Sequence, residues 1–176
     1  MNYIETEIKG VFVIEPRVFP DQRGYFFEAW KKEEFEQHVG HVDFIQDNES
    51  KSSRGVLRGL HYQKGDASQA KLVRVVKGAV LDVAVDLRRD SATFGRHVMV
   101  ELTDENKRQL FIPRGFAHGF LVLSDEAEFC YKVTDFYHPG DEGGLIWNDP
   151  TIGVEWPIPE GMELIFSEKD TKWPEL

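Results

Sequence analysis

Apolar and polar residues alternate with a period of two along most of this chain. GVFVIEPRVF opens the pattern with β-branched and aromatic residues, and KLVRVVKG and AVLDVAVDLR read as two further strands with Lys77-Gly78 at the turn between them. In the second of these, Leu81, Val83, Val85 and Leu87 share one face, and Asp82, Asp86 and Arg88 fall on the other. RHVMVEL, QLFIP, GFLVLS and EFCYKVTDFY continue the alternation. The turn signals PDQRG, DENK, PRG, HPGDEGG and NDP recur at intervals that suit a sandwich or a barrel.

Helical spacing is confined to one segment. In KKEEFEQHVG, Phe35 and Val39 stand four apart and Gly40 ends the run. Thr103 to Asn106 reads as a single helical turn capped by Thr103. From about Trp147 to the end, residues 147–176, several prolines and little periodicity predict loop and short helix wrapping the domain. No repeat or low-complexity linker interrupts the 176 residues, so the expectation is one all-β domain, residues 1–176, with a few short helices.

Residues 54–63, RGVLRGLHYQ, carry a conflict within the pattern. Strict alternation puts Val56, Arg58, Leu60 and Tyr62 on one face and Leu57, His61 and Gln63 on the other. If Arg58 and His61 serve one pocket, the strand has to break its alternation near Gly59 or Leu60, where a glycine admits a bulge or a close backbone approach.

Composition narrows the classes. The chain is 41% hydrophobic and 12% aromatic, an ordinary globular balance. A net charge of −10 argues against nucleic-acid or anionic-membrane binding, though a local cluster of Arg and Lys can still hold a small anion. The single cysteine, Cys130, rules out an internal disulfide and is expected as a core thiol in AEFCYKV. MNYIETEIKG lacks the features of a signal peptide, and no stretch approaches the ~18 apolar residues of a membrane span, so the expected compartment is the cytoplasm.

Of six histidines, His61 and His118 stand apart, each flanked by glycine and apolar residues in GLHYQ and RGFAHGFLVL. A buried imidazole needs partners. Pro113, Gly115 and His118 have the spacing P-x-G-x-x-H, which resembles the second motif of the cupin superfamily, a small β-barrel or jelly roll. Metal-binding cupins also carry an H-x-H pair, but here the place reads His61-Tyr62-Gln63 with no Glu before Val76, too few ligands for a transition metal. Acid–base chemistry is left for His61. Tyr131 and Tyr137, of equal parity in EFCYKVTDFY, are candidates for a second proton-transfer group or amphipathic core tyrosines. Arg23, Arg58 and Lys71 are candidate anion-binding cations, and no Walker-type or dinucleotide-binding loop is present.

Taken together, DQRGYFFEAW, FIQDNESKSSRGVLRGLHYQ, KLVRVVKGAVLDVAVDLRRDSATFG, ENKRQLFIPRGFAHGFLVLSDEAEFCYK, EGGLIWNDPTIGVEWP and SEKD resemble the dTDP-4-dehydrorhamnose 3,5-epimerase family, in order and over nearly the whole chain. The resemblance implies a cupin-like β-barrel that acts in dTDP-L-rhamnose biosynthesis, is usually a homodimer, and uses no metal or organic cofactor. It implies that His61 is the catalytic base, Tyr131 the acid, Asp170 the carboxylate that orients His61, and Lys71 the group that stabilises an enolate. Arg23, Glu28, Gln46, Asp47, Asn48, Arg58, His118, Glu142 and Lys169 match substrate-binding positions, and Tyr137 matches one that stacks on thymine. Arg23 and Glu28 are implied to reach the neighbouring subunit's site. A single-site epimerase, a sugar-nucleotide ketoisomerase and a non-catalytic sugar-binding cupin are the competing readings.

Overall fold

β-Branched and aromatic residues at alternate positions favour extended backbone. In the computed structural model, which describes residues 1–176, they form thirteen strands. These are β1 (Asn2–Glu5), β2 (Phe12–Glu15), β3 (Phe19–Asp21), β4 (Gly24–Phe26), β5 (Gln46–Ser53), β6 (Leu57–Gln63), β7 (Lys71–Lys77), β8 (Ala79–Asp86), β9 (His97–Thr103), β10 (Gln109–Ile112), β11 (Phe116–Val122), β12 (Glu126–Val133) and β13 (Glu142–Gly144). One sheet has six strands in the order β1-β2-β10-β7-β12-β5, a second has five in the order β13-β6-β11-β8-β9, and β3 and β4 pair as a separate hairpin. The result is the cupin-like, all-β architecture with few short helices. β7 and β8 are adjacent in sequence but do not pair, because the chain crosses from one sheet to the other at Gly78.

The two sheets face each other across the main core. Val73, Val75, Leu110, Ile112 and Phe129 come from the six-stranded sheet, and Val80, Ala84, Phe116, Phe120 and Val122 from the five-stranded one. The outward faces are apolar too, so each needs a cover. Residues 145–166 supply Leu145, Ile152, Trp156, Leu164 and Phe166 against Leu57, Leu60, Val83 and Val85. Helix α1 (Lys32–His38) lays fully buried Phe35 on Ile14, Leu72 and Phe111 of the other sheet. Gly40 follows α1 with φ +110°, a conformation that ends a helix. Thr103 to Asn106 forms a turn, with Thr103 Oγ1 accepting hydrogen bonds from the backbone N–H groups of Glu105 and Asn106.

One expectation is corrected here. Cys130 is not a core thiol. It sits on β12 between inward-facing Phe129 and Tyr131, so strand parity turns it outward, where it is half-buried and donates to Glu49 at 3.5 Å.

Candidate active site

Apolar packing does not fill the space between the sheets, and a cavity of about 630 Å³ remains. Its walls follow from strand parity. β5 contributes Gln46, Asn48 and Ser50; β7, Lys71; and β12, Phe129 and Tyr131. From the opposing sheet come Arg58 and His61 of β6, with His118 and Phe120 of β11. Tyr137, Glu142, Ser167, Lys169 and Asp170 line it from connecting segments and β13.

Arg58 and His61 share the cavity because β6 is bulged. His118 pairs with His61 and Phe120 with Arg58, so two steps along β11 correspond to three along β6. The extra residue lies at Gly59–Leu60, and the peptide bond between these two is cis. Gly59 has φ +123°, and a Cβ there would lie 2.6 Å from Gly119 Cα and 2.8 Å from the His118 carbonyl oxygen, so no other residue fits. The shift turns Leu57 and Leu60, three apart, into the outer core, and Arg58 and His61, also three apart, inward.

His61 Nε2 makes a short hydrogen bond to Asp170 Oδ1, joining residues 109 apart in sequence. Asp170 lies in the 3₁₀ turn Lys169–Thr171, is buried, and also accepts a 2.7 Å hydrogen bond from Ser167 Oγ. Burial pushes its carboxyl pKa up, but the hydrogen bonds from His61 and Ser167 outweigh that and hold it below the usual range. Because Asp170 is held ionised, Nε2 of His61 is the donor in this bond, which leaves Nδ1 as the ring nitrogen without a protein partner. Trp173 stands edge-on to the His61 ring, with centroids 6.2 Å apart. Its indole lies flat over Gly144, where a Cβ would come within 2.4 Å of it.

On the opposite wall, burial pushes the Tyr131 phenol pKa up, and Arg58 offsets this only in part. Tyr131 therefore keeps its proton throughout the neutral range. Burial lowers the Lys71 ammonium to about 8 against the opposing pull of Asp82 and Glu142. His118 Nε2 lies 2.8 and 3.0 Å from the two oxygens of Asp82. At the rim, Glu142 accepts from Lys169 Nζ at 2.6 Å and from Tyr137 Oη at 3.1 Å. Arg58 Nε donates to Ser52 Oγ at 3.0 Å, and Gln46 Nε2 donates to Asn48 Oδ1 at 2.8 Å.

The fold thus brings His61, Tyr131, Lys71, Asp170, Gln46, Asn48, Arg58, His118, Tyr137, Glu142 and Lys169 together. Asp47 stands apart from them. Its neighbours on β5 point inward, so its side chain points outward and pairs with Lys132 at 2.6 Å. Arg23 and Glu28 also lie away from this cavity. Arg23 is at the tip of the exposed β3–β4 hairpin, paired with Asp21 at 2.6 Å, and Glu28 is exposed just after β4. Sequence reasoning missed Asp82, Ser167 and Trp173. For Asp82 the signal was available, since it shares a face with Val80 and Ala84.

The profile of the dTDP-4-dehydrorhamnose 3,5-epimerase family matches residues 5–176. The dTDP-4-dehydrorhamnose 3,5-epimerase of Salmonella typhimurium is 54% identical over 100% of this chain and 96% of its own length. The structure of an enzyme from Legionella pneumophila, dTDP-6-deoxy-D-glucose-3,5-epimerase in complex with dTDP-4-keto-L-rhamnose, superposes with a TM-score of 0.95. It is 47% identical and is matched over 99% of this chain and 92% of that one. ChmJ, a 3′-monoepimerase from Streptomyces bikiniensis in complex with dTDP-quinovose, superposes with a TM-score of 0.91. It is 35% identical over 98% of this chain and 86% of that one. Profile, sequence and fold agree along the full length of the cavity-forming strands, and the chain belongs to the dTDP-4-dehydrorhamnose 3,5-epimerase family.

Proposed function

We propose that this cavity inverts C3 and C5 of dTDP-4-dehydro-6-deoxy-D-glucose, giving dTDP-4-dehydro-L-rhamnose for dTDP-L-rhamnose biosynthesis. The observation that carries the reading is the placement of His61 and Tyr131 on opposite walls of one cavity. Epimerisation removes a proton from one face of a carbon and delivers another to the opposite face. The C4 ketone acidifies the hydrogens on both neighbouring carbons, so one base and one acid serve two inversions. His61 Nδ1 takes the carbon-bound proton, and Asp170 fixes the tautomer and stabilises the imidazolium that forms. The C–H electron pair moves into the ring and the carbonyl pair onto oxygen, next to Lys71. Tyr131 then protonates the carbon from the other side.

The rest of the wall suits a nucleoside diphosphate. Arg58 and Lys169 offer charge for the phosphates, and Tyr137 offers an exposed ring for the base. The hairpin formed by β3 and β4 exposes Phe19, Tyr25 and Phe26 at 46%, 56% and 66%. Apolar surface of that kind marks an interface. In this reading it docks on a second copy, giving a homodimer in which Arg23 and Glu28 complete the neighbour's site. No helix is long and apolar enough to cross a membrane, and the cytoplasm is the expected compartment. The test is to incubate the protein with the 4-keto sugar nucleotide and trap product with a reductase specific for the L-lyxo ketone. Reduced product is expected only when the protein is present; none in its presence contradicts the reading.

A further inference from the structure

His61 has two cross-strand neighbours. On β11 the partner is His118; on β13 it is Gly144, which has no side chain. The backbone does not require glycine there, since its φ lies outside the left-handed region. Space does: a Cβ would lie 2.4 Å from Trp173 Cδ2 and Cε2 and 2.6 Å from its Nε1. The indole therefore occupies the place of a cross-strand side chain beside His61. It comes from the stretch that supplies Asp170, two residues beyond the 3₁₀ turn Lys169–Thr171. One short stretch thus makes two contacts with His61, the hydrogen bond to Asp170 and the edge-on contact of Trp173, at an interplanar angle of 69°.

That stretch is itself pinned. The Pro174 carbonyl accepts from the Ile146 N–H at 2.9 Å, and the Leu176 N–H donates to Asp149 Oδ2 at 2.6 Å. Asp149 is buried, and its other oxygen accepts from the N–H groups of Thr151 and Ile152 at 2.7 and 2.9 Å. Neither Trp173 nor Asp149 lines the cavity. The indole N–H is buried and meets no acceptor in hydrogen-bond geometry. Burial raises the Asp170 carboxyl, hydrogen bonds from His61 and Ser167 lower it, and the Trp173 N–H contributes least. What Trp173 offers the site is its ring.

We propose that Trp173 is a positioning residue for proton abstraction: its ring fixes the plane of the His61 imidazole and shields the His61–Asp170 hydrogen bond from water. One hydrogen bond fixes a point on a ring and leaves the ring free to swing, because the terminal torsion of histidine has a broad minimum. An edge-on aromatic contact fixes the plane. Nδ1 then stays aimed at the carbon-bound proton, where a misplacement of about 1 Å costs about 10²-fold in rate. The inference rests on His61 being the base, as proposed above.

The test joins kinetics of Trp173→Ala and Trp173→Phe with NMR of the exchange of the His61 ring N–H with water. In Trp173→Ala, kcat is expected to fall about 10–10²-fold, with KM changed less than about threefold. Solvent-deuterium uptake at C3 and C5 falls in parallel, and the ring N–H exchanges at least about tenfold faster than in the wild type. Trp173→Phe restores an aromatic edge without the N–H and is expected to keep kcat within about threefold of the wild type. Wild-type kcat in Trp173→Ala, measured below its melting temperature, overturns the proposal. So does a loss confined to KM, an unchanged ring N–H exchange, or a Phe variant as slow as the Ala one. If Trp173→Ala does not fold, Gly144→Ala decides in its place, because it keeps the tryptophan but drives the ring off His61. The same fall in kcat is expected there, and wild-type kcat overturns the proposal. A wild-type protein that does not epimerise defeats the function itself, and the ring N–H exchange reports separately on the shield.

Discussion

The cavity holds two histidine–carboxylate pairs, and they are built differently. His61 sits on the bulge of β6 and receives its carboxylate from Asp170, near the end of the chain. His118 sits in regular β11 and receives its carboxylate from β8, the adjacent strand of the same sheet. Asp170 has Ser167 as a second donor; Asp82 has none. The same two side-chain types are therefore assembled in one case across most of the chain's length and in the other within a single sheet.

The largest expected effect comes from removing the proton acceptor. His61→Ala should lower kcat by about 10³–10⁴-fold, and it should abolish solvent-deuterium uptake at both C3 and C5, read by NMR of the recovered sugar nucleotide. Wild-type turnover in this variant would leave the two pairs with no difference in role. Asp170→Asn, which keeps shape but loses the charge facing the imidazolium, should cost about 10²–10⁴-fold in kcat; the thermal melt should move little. Tyr131→Phe sharpens the distinction between walls: some isotope exchange should survive while net inversion drops by about 10²-fold, because removal of the proton does not need the opposite wall and delivery does.

Lys71 offers a pH handle on the charged side of the cavity. Its ammonium is lowered to about 8, so it is charged below that pH and loses its proton as pH rises through it. The rate should therefore decline on an alkaline limb near pH 8. Lys71→Met should remove that limb and lower the rate at pH 7 by about 10²-fold, checked by a pH–rate profile of both proteins. The smallest effect on chemistry and the clearest on folding belongs to Gly59→Ala. The positive φ and the 2.6 Å approach to Gly119 admit no methyl group without movement. A loss of roughly 2–4 kcal/mol of stability is expected in urea unfolding, with residual activity falling only as far as Arg58 and His61 lose their common aim.

Much of the fold is legible in the period-two pattern, because strands with one apolar face declare that face. AVLDVAVDLR shows where such reading misleads. Leu81, Val83 and Val85 do share a face, but that face meets the C-terminal stretch, and the side carrying Asp82 and Asp86 points between the sheets. An aspartate in a strand with both faces covered looks the same in sequence as one at the surface. Cys130 shows the complementary error, since a residue beside an inward-pointing one is turned outward by the pleat. The break in alternation at Gly59 was visible as a conflict between Arg58 and His61, and the bulge resolves it. The link between His61 and Asp170 was not visible in any local pattern, because it depends on the chain passing around the five-stranded sheet before returning. It came into view through likeness to a family.

The most direct measurement is incubation of the wild-type enzyme with dTDP-4-dehydro-6-deoxy-D-glucose in deuterated water, followed by position-resolved NMR. Two inversions by one base and one acid require solvent deuterium at both C3 and C5 of the product. Deuterium at one carbon alone would make the protein a single-site epimerase. Deuterium at neither would contradict proton abstraction by His61 altogether.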